Sequence, residues 1–245
     1  MKKLLRKYSK EFYALIFLIL IYIAYASSLS PTIQFEFNDV IPSIGDGTEI
    51  GIGDTSKKQV IFTFDGGSGD KSTGQILEIL NSHHVKGTFF LTGMFVKKNR
   101  DIVKKIILHG HEIFNHTEDH PYLTELSDAE IANELISANE KMMLGFEKST
   151  KPYFRAPFGN RDARVRNIAR SIGYRSVSWT VDADDWRESE GITDDEVKNR
   201  ILNNIRPGVI YLMHLGDNIS GRILDDVFTK IESRGYKIVS LTEGI

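Results

Sequence analysis

From Gln59 onward, short β-branched and aromatic runs alternate with stretches in which apolar residues recur at helical spacing. Val60-Ile61-Phe62-Thr63-Phe64 is the first run and ends at Asp65, after which Ile76, Leu77, Ile79 and Leu80 follow three and four apart. Thr88 to Leu91 predicts a second strand and Glu112 to Phe114 a third, with a helix around Asp101 to Leu108 between them. Ser127, with Glu130 three positions on, is a capping-box signature, and the helix it opens should run to about Phe146. Four more strands are predicted at Pro152 to Arg155, Arg175 to Val181, Gly208 to Leu212 and Lys237 to Ser240. Helices are expected over Arg164 to Ile172, from a cap at Thr193 through Asn203, and over Ile223 to Arg234. This alternation implies βαβ units and a parallel sheet, and about seven such units point to barrel-like closure rather than an open sheet.

The N-terminal pattern differs. Lys2, Lys3, Arg6, Lys7 and Lys10 precede an uncharged run from Phe12 to Ala26, the layout of an export signal. Ala24-Tyr25-Ala26 offers a small-x-small cleavage site. The run is short against the ~20 residues of a comfortable membrane span, and extending it through Leu29 gives a marginal one. Residues 1–30 therefore read as a signal peptide or signal anchor, with cleavage and anchoring both open. Residues 31–56 read as a linker: Pro31, Pro42, Gly45-Asp46-Gly47 and Gly51-Ile52-Gly53-Asp54 interrupt any periodicity, apart from a short strand around Ile33 to Phe37. Residues 57–245 are left as a single domain. The expected location is outside the cell, free or anchored and facing the wall.

A chain of 245 residues that is 41% apolar can bury one substantial core. Its net charge of −2 gives no reason to expect a nucleic-acid partner held by bulk electrostatics. With no cysteine, disulfides and thiolate metal sites are excluded. Oligomeric state stays open.

The candidate chemistry lies at strand ends. His116 and His120, four apart, would stack on a helical turn within reach of one divalent cation. Without cysteines to close a structural site, a His-plus-carboxylate site that keeps water on the metal fits better, and that is the hydrolytic kind. Asp65, His116, Arg155, Asp182 or Asp185, and His214 all fall at or just past the C-terminal ends of predicted strands. That is the rim where parallel α/β folds build their sites. Each has a plainer reading alone: Asp65 as a helix cap, Arg155 as a surface ion-pair partner, Trp186 and His214 as core. Five such residues from five strands outweigh those readings.

In order, Thr63-Phe64-Asp65-Gly66-Gly67, His116-Thr117-Glu118-Asp119-His120, Arg155-Ala156-Pro157-Phe158-Gly159, Asp182-Ala183-Asp184-Asp185-Trp186 and Leu212-Met213-His214 resemble five motifs of the polysaccharide deacetylases. These are the NodB-homology enzymes of carbohydrate esterase family four. The resemblance covers roughly Gln59 to Ile245. It implies an α/β fold of the distorted (β/α)7-type barrel kind and metal-dependent hydrolysis of N-acetyl groups on a polysaccharide. It further implies His116 and His120 as metal ligands, Asp65 as catalytic base and His214 as general acid. Arg155 would orient Asp65, and Asp185 would tune His214. Pro157, Phe158, Trp186 and Leu212 would bind substrate, with Trp186 and Leu212 walling the acetyl pocket and the Phe158 N–H facing the oxyanion. The implied metal is zinc by default, with cobalt, nickel or manganese as alternatives. The implied partner is a glycan, most of all peptidoglycan N-acetylglucosamine, together with the membrane if the N-terminal segment is uncleaved.

One position departs from the pattern. Gly66 stands where the family has a metal-ligating aspartate, so a carboxylate is missing. Ser68 or Asp70 could fill the gap, the metal could bind more weakly, or the chain could be a non-catalytic glycan-binding protein. Retained activity is favoured, because Asp65 and His214 are both kept.

Overall fold

The fold is organised around β1 (Gln59–Gly66), whose alternating side chains are buried on both faces of the sheet. Val60, Phe62 and Phe64 point outward into a layer shared with the surrounding helices, while Ile61 points inward with Phe90, Phe114, Val177 and Ile210. A strand covered on both sides reads as a continuous apolar run, which is the pattern of Val60 to Phe64. Thr63 and Asp65 continue the inward series, so the carboxylate of Asp65 surfaces inside the rim.

A computed structural model describes residues 49–67 and 69–245. The expected export segment, the strand around Ile33 to Phe37 and Ser68 lie outside the described residues. Among the described residues, no helix is long and apolar enough to cross a membrane.

After β1 come helix α1 (Thr73–Ser82), β2 (Thr88–Leu91), α2 (Gly93–Lys98), α3 (Arg100–Leu108) and β3 (Glu112–Asn115). Helix α4 (Asp128–Phe146) leads to β4 (Tyr153–Phe154), and α5 (Ala163–Ser171) leads to β5 (Arg175–Ser176) and β6 (Val181–Asp182). Helix α6 (Asp194–Leu202), β7 (Ile210–His214), α7 (Ile219–Ser233), β8 (Lys237–Val239) and α8 (Leu241–Gly244) complete the chain. The strands pair in parallel in the order β5-β4-β3-β2-β1-β7-β6, with β8 also on β1. This is the distorted barrel expected, left open between β5 and β6 as a half-barrel.

The helix ends follow their sequence signals. Ser127 and Glu130 form a reciprocal capping box, as do Thr193 and Glu196. Helix α7 starts at Ile219, about a turn before the apolar periodicity at Ile223 suggests. Helix α2, capped by Thr92, was not expected.

Two expectations are corrected. The single strand predicted over Arg175 to Val181 is two short strands, β5 and β6, at opposite edges of the sheet. Between them the carbonyls of Val177 and Ser178 turn inward to accept hydrogen bonds from Arg155, so they leave the ladder. The linker expected to reach residue 56 is already packed on the domain from Glu49. Ile50 bridges Val177, Gly53 N–H donates to the Gly208 carbonyl at 2.7 Å, and Glu49 takes both ends of the Arg161 guanidinium at 2.6 and 2.7 Å.

Candidate active site

Asp65 is held at the end of β1 by Arg155, which follows β4 directly. Arg155 is completely buried, and its Nη1 donates to Asp65 Oδ1 at 2.7 Å and to Thr63 Oγ1 at 2.8 Å. Nε and Nη2 donate to the Val177 and Ser178 carbonyls at 3.4 and 3.1 Å, and the guanidinium lies 4.1 Å from the Phe90 ring centre. Burial alone would raise the pKa of Asp65. The charges of Arg155, His116 and His214 and the Arg155 hydrogen bond outweigh it, and the carboxylate sits below its ordinary range. Asp65 is ionised and fixed in orientation.

His116 leaves β3 at its C-terminal end. Its Nδ1 lies 2.9 Å from the Arg155 carbonyl, which can only accept, so Nδ1 carries the proton and Nε2 presents a lone pair. That Nε2 lies 3.5 Å from Asp65 Oδ2. The His120 ring stands 4.9 Å away, centre to centre, at 72°. Burial depresses both imidazoles, His120 to about 4, so each is a neutral donor at physiological pH.

The helical turn expected for this pair is absent. Thr117 and His120 both have left-handed φ angles of 69° and 63°, and the segment is a loop. Asn115 Oδ1 accepts from the Thr117 N–H, and Thr117 Oγ1 accepts from the His120 N–H; these bonds stabilise the loop turn. The histidines meet because the loop doubles back, not because of a 3.6-residue period.

His214 ends β7 on the other side of Asp65. Its Nδ1 donates to Asp185 Oδ1 at 2.8 Å, and its backbone N–H to Asp185 Oδ2 at 2.7 Å. Asp185 is fully buried and also accepts from Ser220 Oγ and from the Trp186 N–H. Burial would lower the pKa of His214. The hydrogen bond and charge of Asp185, with Asp65 and Asp182 beyond it, raise the imidazole to about 9. It is an imidazolium at neutral pH with Nε2–H free of the Asp185 bond. The choice left open between Asp182 and Asp185 resolves on contact: Asp185 holds His214, and Asp182 closes a local turn by accepting from the Asp184 N–H.

Asp65, His116, His120 and His214 share a cavity of about 410 Å³ between Phe158, Trp179, Trp186 and Leu212. Phe158 is 58% exposed and Trp186 49%, so both rings border solvent, whereas Leu212 is buried. Pro157, expected to bind substrate, does not line the cavity; it is buried and opens the short turn that gives Phe158 its left-handed φ of 57°. Sequence reasoning missed Trp179, hidden in the stretch between β5 and β6, and Tyr122. The Tyr122 ring stacks on Phe158 at 4.3 Å and 15°. Pro121 directly after the histidine motif was the available signal for a turn that presents Tyr122.

Gly66 was expected beside the metal. It continues the outward series of β1, and a Cβ there would lie 2.7 Å from Leu91 Cδ2, 3.0 Å from Leu215 Cδ1 and 3.2 Å from Phe95 Cδ2. Apolar side chains occupy the direction in which a ligand at this position would start. Among the described residues, no group of three or more His, Cys, Asp or Glu is arranged to hold a metal ion together. What converges is a pair of neutral imidazoles, His116 and His120, with ring centres 4.9 Å apart, and neutral imidazole is a donor that a divalent cation accepts.

The sequence profile of a family described as polysaccharide deacetylase matches residues 52–177. The peptidoglycan-N-acetylmuramic acid deacetylase PdaA of Bacillus subtilis is 33% identical, over 78% of this chain and 73% of its own length. A peptidoglycan-N-acetylglucosamine deacetylase of Bacillus cereus is also 33% identical, over 77% of this chain and 69% of its own. Among solved structures, a Bacillus anthracis pseudoenzyme of the CE4 family superposes with a TM-score of 0.76 at 33% identity, covering 81% of this chain and 69% of the other.

Proposed function

The chain belongs to the polysaccharide deacetylase family, and from that premise we propose that it hydrolyses N-acetyl groups of a cell-surface polysaccharide, with peptidoglycan N-acetylglucosamine as the substrate. The observation that carries this reading is the opposition of two groups across one cavity. Asp65 is kept ionised by Arg155, and His214 is kept protonated by Asp185. A base and an acid with pKa values pushed apart in this way are what amide hydrolysis requires.

We read the reaction as metal-dependent, as the resemblance of the five motifs implies. In our reading His116 and His120 hold the ion, Zn²⁺ before Co²⁺, Ni²⁺ or Mn²⁺, and His116 is oriented for it by the Arg155 carbonyl. When bound, a divalent cation supplies Lewis acidity at the amide carbonyl. Asp65 takes a proton from the attacking water as its oxygen bonds to the carbonyl carbon. His214 Nε2 gives a proton to the departing nitrogen as the C–N bond breaks, leaving acetate and a free amine. Trp186 and Leu212 receive the acetyl methyl, and the Phe158 N–H faces the developing oxyanion. We place the protein outside the cytoplasmic membrane, exported by the segment around Phe12 to Ala26.

His214→Ala tests this directly. It should lose acetate release by about 10²-fold or more while the fold is kept. Full activity in that variant rules out the assignment. A second reading, a glycan-binding protein without turnover, draws support from the apolar surroundings of Gly66 and from the likeness to a CE4 pseudoenzyme. It predicts glycan binding indifferent to chelators.

A further inference from the structure

The loop that joins the two histidines is held by a carboxylate from outside the cavity. Each backbone N–H from His116 to His120 has a partner. His116 donates to the Leu91 carbonyl, Thr117 to Asn115 Oδ1 and His120 to Thr117 Oγ1. The two N–H groups between them, those of Glu118 and Asp119, both donate to Glu134 Oε2, at 2.9 and 3.0 Å. Of these acceptors, only Glu134 comes from a helix, α4.

The backbone needs such a hold. Thr117 and His120 have φ angles of 69° and 63°, and a β-branched residue in the left-handed region is costly. Two consecutive N–H groups converging on one oxygen make a cradle for an anion, and bonds to a carboxylate are stronger than bonds to a neutral acceptor. The carbonyls of the same loop face α2: those of Thr117 and Glu118 accept from the Gly93 and Met94 N–H groups at 3.0 and 3.1 Å. Lys141, seven residues beyond Glu134 on α4, pairs with the buried side chain of Glu118. The loop is therefore gripped between α2 and α4. The grip falls on the two residues midway between His116 and His120, whose rings stand 4.9 Å apart.

We propose that Glu134 is a positioning residue for the metal site. By holding the Glu118 and Asp119 N–H groups it keeps the His120 ring against the His116 ring, so that both imidazoles are in place before a cation arrives. This rests on the reading of the two histidines as the metal ligands.

The test compares the full-length chain with Glu134→Ala, Glu134→Asp and Glu134→Gln, and with His116→Ala as a reference. It reads Co²⁺ binding by visible absorption, and amide hydrogen exchange of Glu118 and Asp119 in the metal-free protein. Glutamine keeps an oxygen acceptor at the same reach, whereas aspartate keeps the charge but shortens the arm. The contrast between these two decides the matter even where the alanine variant does not fold. Alanine and aspartate should weaken Co²⁺ binding by at least about tenfold, alter its spectrum and speed exchange at both amides. Glutamine should restore most of the affinity and the wild-type spectrum. Wild-type cobalt affinity and spectrum in the aspartate variant, or a glutamine variant as weak as the aspartate one, refutes the proposal and leaves the metal site itself intact. A wild-type chain with the same cobalt spectrum as His116→Ala refutes both.

Discussion

His214 Nδ1 and Asp185 Oδ1 are 2.8 Å apart, and the same carboxylate also takes the His214 backbone N–H. The imidazole is thereby fixed in position and in charge. Its pKa in the folded chain is about 9 against an ordinary 6.5. Because the folded value is raised, the pair contributes its full stability below about 6.5 and loses it as pH rises through about 9.

Activity should therefore fall on the alkaline side near pH 9, where His214 loses the proton it donates. Asp185→Asn removes the charge and should bring that limb toward neutrality, with kcat at pH 8 down about 10²-fold. A pH–rate profile and an NMR titration of His214 check this together. An alkaline limb unmoved by Asp185→Asn would mean that another group is the acid.

Arg155 makes the corresponding test of the base. Removing it leaves Asp65 buried beside no cation and strands the Val177 and Ser178 carbonyls that shape the chain between β5 and β6. Arg155→Ala should lose about 3–5 kcal/mol of stability in denaturant titrations. Arg155→Lys should recover only part of it, since an ammonium cannot reproduce the planar fork.

Metal binding should depend on both imidazoles. His116→Ala and His120→Ala should each weaken Co²⁺ binding, followed by its visible absorption, by at least about tenfold. His120→Ala should leave the fold in place, since its ring contacts lie at the cavity. Unaltered cobalt spectra in both variants would put the ion elsewhere.

Restoring the family's aspartate should fail. In Gly66→Asp the new side chain starts among Leu91, Phe95 and Leu215, so overpacking alone costs about 1–3 kcal/mol. A lower melting temperature without tighter metal binding is expected. A stable variant with markedly tighter metal binding would mean that the end of β1 rearranges readily to face the histidines.

The sequence announced the parts of this molecule that depend on local pattern. Strand β1, the capping box at Ser127, the cap at Thr193, and the rim positions of Asp65, Arg155 and His214 all lie where periodicity and strand ends put them. What it hid depends on backbone turns and on contacts far apart in the chain. The left-handed Thr117 and His120 replace the helical turn that a four-residue spacing suggests. Arg155 draws the Val177 and Ser178 carbonyls out of a run that otherwise reads as one strand. The outward direction of Gly66 follows from the same alternation that aims Asp65 inward, yet the motif at that point looks only like a lost ligand.

The most direct test of the central claim is acetate release by the full-length chain from purified peptidoglycan and from N-acetylglucosamine oligomers, with added Zn²⁺ or Co²⁺ and with a chelator. Release that requires the metal and vanishes in His214→Ala is the expected result. No release from a folded chain that binds these glycans equally with and without chelator would contradict it, and would make this protein a glycan-binding member of its family.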